Sequence, residues 1–299
     1  MSFWNIAQQN AGYLLVDGAF SLLKDSEDSS IESLPEQPGV VVQCFDARLF
    51  HAADTRNLRK LTRSNTDPRH SGWYKELVRN AEFDVPELCD FSLHIAEAPF
   101  GRRELAECLT MNLSSFWRRI EGDQTGHYQS RASDIWQRMM LTHRELIEEG
   151  GSQALHVDPV RWGGASWVSG PGILIVQDRH DDVIFVDSTA DIPAQYIMHA
   201  RRTQLSTLRQ RIGERFLNMP LRPVATGGQA FTESGELEVS SFLRSCRVSF
   251  FPVQIGRAEV CEDLIERLRP ELNDFTGARP FERRREFHRP THRKHRIWG

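Results

Sequence analysis

The sequence predicts an α+β fold built from two similar modules, each a small, mainly antiparallel sheet flanked by helices. Three observations predict it. Short apolar runs bounded by Gly, Pro and Asp come in pairs, as strands joined by tight hairpins do. Between them lie stretches whose apolar residues recur at helical spacing. The order of these pieces in the first half returns in the second.

Residues 1–24 read as one ordered segment, anchored by Tyr13, Leu14, Leu15, Phe20, Leu22 and Leu23. Residues 25–37 are acidic, Ser-rich and end at prolines, which is linker composition; residues 1–35 form this N-terminal segment and its linker. The first module spans 36–116. Val40–Gln43 and Leu49–Ala53 read as strands with a hairpin at Cys44–Arg48, and Phe91–Ile95 as a third strand. Asn57–Arg63, Trp73–Asn80 and Arg103–Leu113 read as helices.

Residues 117–168 form a helical connector. Ser133 or Asp134 caps a helix whose face carries Trp136, Met139, Met140, His143 and Ile147, and Gly150–Gly151 ends it. Residues 158–170, rich in Gly and Trp, read as a packed loop. The second module spans 169–276. Its strands are Gly172–Gln177 and Val183–Asp187, with a hairpin at Asp178–Asp182, and Arg247–Val253. Its helices are Ala194–Arg201, Thr207–Phe216, Leu237–Ser245 and Arg257–Leu268, the last ending at Pro270.

Three matches in the same order carry the repeat. Pro38-Gly39-Val40 lies on Pro171-Gly172-Ile173. Thr55-Arg56-Asn57-Leu58 lies on Thr189-Ala190-Asp191-Ile192. Gly101 to Leu109 lies on Gly256 to Leu264, with five identities in nine.

The chain of 299 residues has 39% apolar and 26% charged residues, which is globular composition. Its net charge is −4, but residues 277–299 hold eight Lys/Arg and two Asp/Glu, so a +6 tail follows a −10 body. No apolar run is long enough for a membrane span, and Met1–Asn10 lacks a signal-peptide pattern. The five cysteines are odd in number and show no CxxC spacing. These features predict an intracellular protein, cytoplasmic or nucleoid-associated, with no membrane partner and no structural zinc.

The second half resembles the GIY-YIG nuclease superfamily, and the first half is a fainter copy. Gly172-Ile173-Leu174 stands where that family has GIY. Val183 to Ile192 stands where it has a strand carrying YIG, a turn and a Leu. Leu264-Ile265 through Leu268, Pro270, Leu272 and Asn273 form the most family-like ending. The resemblance implies metal-assisted phosphodiester hydrolysis, with tyrosines near the attacking water, an arginine steadying phosphate charge and a glutamate holding the metal. The chain departs at each place. The first tyrosine is Leu174 or Val41 and the second is Phe185 or His51. The following glycine is Asp187 or Ala53, and the arginine is Gln195 or Leu61. The metal glutamate falls on Cys261, flanked by Glu259 and Glu262.

Three functions fit these residues. The first is a catalytically degenerate nuclease fold that binds nucleic acid, DNA rather than RNA, or a nucleoprotein complex. The second is a divergent endonuclease using Glu259 or Glu262 and His51 with Mg²⁺ or Mn²⁺, which would be its only cofactor. The third is a structural subunit of a protein complex. Arg201, Arg202, Arg209 and Arg211 form one basic cluster; a solvated helix face paired with Glu214 explains it equally well. In the tail, Arg283, Arg284, Arg285, Arg289, Arg293, Lys294 and Arg296 alternate with Phe287 and Trp298, a mixture suited to phosphates and base stacking. Glu104/Glu107 and Glu259/Glu262 sit at i, i+3, which converges two carboxylates as a metal requires; Arg102 and Arg257 nearby make a salt-bridged surface the simpler account.

Overall fold

Two antiparallel sheets carry the repeat. The computed structural model describes residues 1–24, 34–45, 48–81, 85–111, 131–164, 168–201, 203–225 and 227–273. The acidic linker over 25–33, residues 112–130, Arg202 and the basic tail lie outside them.

The first sheet places β1 (Gly39–Phe45) between β2 (Arg48–Thr55) and β3 (Ser92–Glu97). The run Val40-Val41-Val42 is buried throughout, so β1 is apolar on both faces rather than alternating. In the second sheet, β4 (Val160–Arg161) pairs with β9 (Arg247–Pro252), which pairs with β5 (Gly172–Gln177), which pairs with β6 (Val183–Thr189). A small ribbon of β7 (Arg222–Pro223) and β8 (Gln229–Ala230) stands apart.

The two sheets agree in detail. Gly39 faces Thr55 and Glu97, as Gly172 faces Thr189 and Pro252. The hairpin register shifts after Gln43 in one and after Val176 in the other. Thr55 Oγ1 accepts from the Asn57 N–H at 3.0 Å, and Thr189 Oγ1 from the Asp191 N–H at 3.0 Å. The Asn57 and Asp191 side chains then accept from the N–H groups of Lys60 and Ala194. These bonds open α3 (Leu58–Thr66) and α8 (Ile192–Arg201), because a short polar side chain there satisfies a donor the helix cannot.

The remaining helices are α1 (Phe3–Gln9), α2 (Ala11–Lys24), α4 (Gly72–Asn80), α5 over 102–111, α6 (Arg131–Leu141), α7 (His143–Leu155), α9 (Thr207–Arg211), α10 (Glu233–Ser245) and α11 (Arg257–Leu268). Among the described residues no helix is long and apolar enough to cross a membrane.

The two modules share one core. Val40, Val42 and Cys44 from β1 meet Ile173, Ile175 and Phe251 from the other sheet, together with Phe100, Leu105 and Val260. Trp4, Leu14, Trp136 and Leu146 close this core from α1, α2, α6 and α7. A second core, built around Leu174, Val176, Phe185, Tyr196, Leu208 and Val239, fills the far face of the second sheet.

The ordered N-terminal segment is two helices, interrupted at Asn10, which caps α1 through its own N–H to the Ile6 carbonyl. Two expectations needed correction. The connector helix breaks at Thr142 and then runs through Gly150 and Gly151 to Leu155. Those glycines serve close packing instead of termination: a Cβ on Gly150 would press into the Trp4 ring, and one on Gly151 into the Arg267 guanidinium. The predicted helix over 207–216 widens into a π-turn at Ile212–Phe216, where a Cβ on Gly213 would press into the Phe231 ring.

Candidate functional site

The strongest concentration of charge in the fold lies where α5 and α11 meet end to end. Each helix follows a glycine with positive φ, Gly101 at 74° and Gly256 at 88°. These conformations suit glycine, and neither site has room for a Cβ: one on Gly101 would press on Ile255, and one on Gly256 on Phe100. Arg102 Nη1 lies 2.8 Å from Glu259 Oε1, and Arg102 Nη2 pairs with Glu262. Arg257 Nη1 lies 3.0 Å from Glu104 Oε1, and Arg257 Nη2 pairs with Glu107. The pairing is therefore reciprocal: residues matched in the repeat exchange partners across a pseudo-two-fold.

The same carboxylates cap the opposite helices. Glu104 accepts from the N–H groups of Gly256 at 3.2 Å and Arg257 at 3.1 Å, and Glu259 accepts from the Arg102 N–H at 3.4 Å. A negative group there faces the positive end of the helix dipole. Burial raises the Glu104 pKa against the pull of Arg257. Burial and the adjacent Glu104 carboxylate push Glu259 up to about 7, while Arg102 pulls it down. Burial opposes the charge on Arg102, but Glu259, Glu262 and Asp54 outweigh it and hold the guanidinium above its ordinary range.

This arrangement decides what the predicted catalytic residues can do. Both candidate metal carboxylates, Glu259 and Glu262, are held by Arg102, and Glu262 also by Arg56 at 2.8 Å. A divalent cation would have to displace a guanidinium from a carboxylate that is only 2% exposed, so these residues do not fit the metal that the resemblance implies. Cys261 is buried and its thiol is pushed up to about 12, leaving it protonated. His51 is not near them. Strand alternation puts it on the opposite face of β2 from Asp54, whose carboxylate lies 3.6 Å from Arg102. The i, i+3 glutamates are salt-bridged by Arg102 and Arg257 as the simpler account had it, but Glu104 and Glu259 are buried rather than on the surface, and each arginine comes from the other module.

In the second module Asp187 and Gln195 touch each other. Gln195 Nε2 donates to Asp187 Oδ2 at 2.6 Å. His199, fully buried, sits 3.5 Å from that carboxylate and 2.7 Å from Ser206 Oγ. The Asp187–His199–Ser206 row has the composition of a nucleophilic triad. Ser206, however, is fully buried, and its Oγ accepts from the Arg209 N–H as the cap of α9, so it reaches no substrate.

The basic cluster divides. Arg209 is 1% exposed, with Nη2 on Glu236 Oε2 at 2.8 Å and on Ser240 Oγ at 3.0 Å, and Nε on Thr203 Oγ1 at 3.0 Å. It is a structural arginine and offers nothing to a phosphate. Arg211 donates to the Leu272 carbonyl and Arg215 to the Glu271 carbonyl, which ties α9 and its π-turn to the last described residues. Arg201 is exposed in the last turn of α8. Arg202 and tail residues Arg283, Arg284, Arg285, Arg289, Arg293, Lys294 and Arg296 lie outside the described residues.

A second cluster escaped the sequence reading. On the outer face of the first sheet, Gln43 Nε2 and Oε1, Thr62 Oγ1, Asn65 Nδ2 and Trp73 Nε1 are buried without a hydrogen-bond partner among the described residues. An unpaired buried polar group costs about 1–3 kcal/mol, so five in one region call for a reason. Gln43 stands opposite His51 across the hairpin, and the His51 ring stacks on Trp73 with centroids 5.4 Å apart. Helix α3 covers the same face, because Leu58 sits where a Cβ on Gly39 would be. Thr62 and Asn65, at i+4 and i+7 from Leu58, lie on the helix face turned toward that sheet, and both are buried. Burial lowers the His51 pKa, so the ring is neutral at pH 7. The available signal was a lone glutamine in the apolar run Val40 to Cys44, with Thr62 and Asn65 at i+4 and i+7 from Leu58.

No family model, no curated protein and no solved structure matches the chain.

Proposed function

We propose that this chain is a nuclease-like scaffold without hydrolytic activity that binds nucleic acid, DNA in preference to RNA, with its basic C-terminal tail as the contact arm. The GIY-YIG likeness belongs to the same proposal, as does an intracellular role, alone or within a nucleoprotein complex. One observation carries it: Arg102 and Arg257 consume the carboxylates nearest the family's metal position by pairing them across the two modules. Chemistry at that place gives way to packing. What remains for contact with a polyanion is the +6 tail on the −10 body.

The test compares the full chain with residues 1–276 on single-stranded DNA, duplex DNA and RNA, over a range of salt, with and without Mg²⁺. The full chain should bind with an affinity that falls steeply with salt, and removal of the tail should weaken binding and flatten that slope. No cleavage should appear with Mg²⁺ or Mn²⁺. Unchanged binding by residues 1–276 would rule out the tail as the arm. Cleavage lost in the Glu259→Ala, Glu262→Ala double variant would restore the endonuclease reading.

A further inference from the structure

We propose that the polar cluster under α3 and α4 is a binding site for one nucleobase, either free or unstacked from a strand; only the second source rests on the nucleic-acid reading above. The second module supplies an internal comparison. Gln43, His51, Thr62 and Asn65 correspond in the repeat to Val176, Phe185, Tyr196 and His199. In the second module these positions are filled and satisfied. Val176, Phe185 and Tyr196 belong to its core, the Tyr196 hydroxyl accepts from the Gly163 N–H at 2.8 Å, and His199 bonds Ser206. In the first module three of the four side chains are smaller and all are polar, so the same place holds less volume and more unpaired donors and acceptors.

The chemistry of the lining specifies the guest. All five side chains are uncharged, His51 included, which disfavours a phosphate or carboxylate. The Gln43 amide presents a donor beside an acceptor, the pairing that reads the edge of a base. Asn65 Nδ2, Trp73 Nε1 and Thr62 Oγ1 add two further donors and a hydroxyl that serves either way. His51 and Trp73, both half-buried, stack on each other at the rim with Phe91 edge-on to Trp73, an aromatic wall beside which a planar heterocycle would lie. A neutral planar group with alternating donors and acceptors meets all of these demands.

The experiment titrates the full chain with adenosine, guanosine, cytidine and uridine by calorimetry. In parallel it follows the fluorescence of single-stranded DNA carrying one 2-aminopurine. At least one nucleoside should bind. Gln43→Leu should weaken that binding about tenfold or more while leaving the thermal midpoint unchanged or raised, because it removes two unpaired atoms. Thr62→Tyr installs the second module's residue and should block the site. Nucleosides carry no phosphate to engage the tail, so their binding supports the proposal whether or not strands bind. If no nucleoside binds, or if both folded variants bind as the parent does, the proposal falls, even where strand binding persists. A crystal structure with ordered waters on all five atoms and no nucleoside binding at millimolar concentration would equally overturn it.

Discussion

Arg102 and Glu259 meet at 2.8 Å, with both side chains 2% exposed, although 157 positions separate them in the chain. Their repeat counterparts, Glu104 and Arg257, meet at 3.0 Å with the roles exchanged. Each module thus supplies the arginine that neutralises the other's glutamates and the carboxylate that caps the other's helix. The shared core of β1, β5, Phe100 and Val260 lies beside this exchange. Neither module has a complete interior alone, so unfolding should be a single transition.

Breaking one arm of the exchange should therefore be costly. Arg102→Met leaves Glu259 buried and uncompensated, and loss of one partner from a buried pair costs about 3–5 kcal/mol. Arg257→Met should cost a similar amount through Glu104. Adding Glu259→Met to Arg102→Met should recover a large part of the loss, since two apolar groups replace a pair that was desolvated at some cost. Urea denaturation of the four proteins measures this. A double variant no more stable than Arg102→Met would show that Glu259 is not the group left stranded.

The same carboxylates predict a pH dependence with a definite sign. Glu259 titrates near 4.5 in the unfolded chain and at about 7 in the folded one, for burial and the neighbouring Glu104 disfavour its charge. Between those values the folded state holds the extra proton, so this group's contribution to stability is complete below pH 4.5 and is lost as pH rises toward 7. Glu104 shifts the same way. Glu259→Gln should flatten stability against pH across that window. The measurement is the urea midpoint at a series of pH values for both proteins. An unchanged slope would place the Glu259 proton elsewhere.

Much of this architecture was legible because it is local. Short apolar runs bounded by turn residues located both hairpins, helical spacing located most helices, and the nine-residue match from Gly101 to Leu109 announced the repeat. The site was less legible because it is long-range. Glu259 and Glu262 at i, i+3 suggested either a metal pair or a surface ion pair, since nothing in their own helix reveals that Arg102 arrives from the other module. Gly150 and Gly151 resembled a helix end because the Trp4 and Arg267 side chains they accommodate come from distant segments. Gln43 is hidden in the sequence because its neighbours make a convincing apolar strand; its lack of a hydrogen-bond partner among the described residues is visible only once α3 is laid over it.

The divided fate of the basic cluster yields a separable pair of outcomes. Arg209 is buried against Glu236, Ser240 and Thr203, so Arg209→Met strands the partly buried Glu236 and should lower stability by about 3 kcal/mol. It should leave the salt slope of nucleic-acid binding unchanged, because the side chain reaches no phosphate. Arg201 is exposed at the end of α8, so Arg201→Gln should leave stability within about 0.5 kcal/mol. If Arg201 contributes one phosphate contact, the same change lowers the salt slope by about one. Thermal unfolding and salt-dependent binding on the same preparations read both effects. A fall in salt slope for Arg209→Met at full folding would mean that α9 opens to expose its arginine when nucleic acid binds.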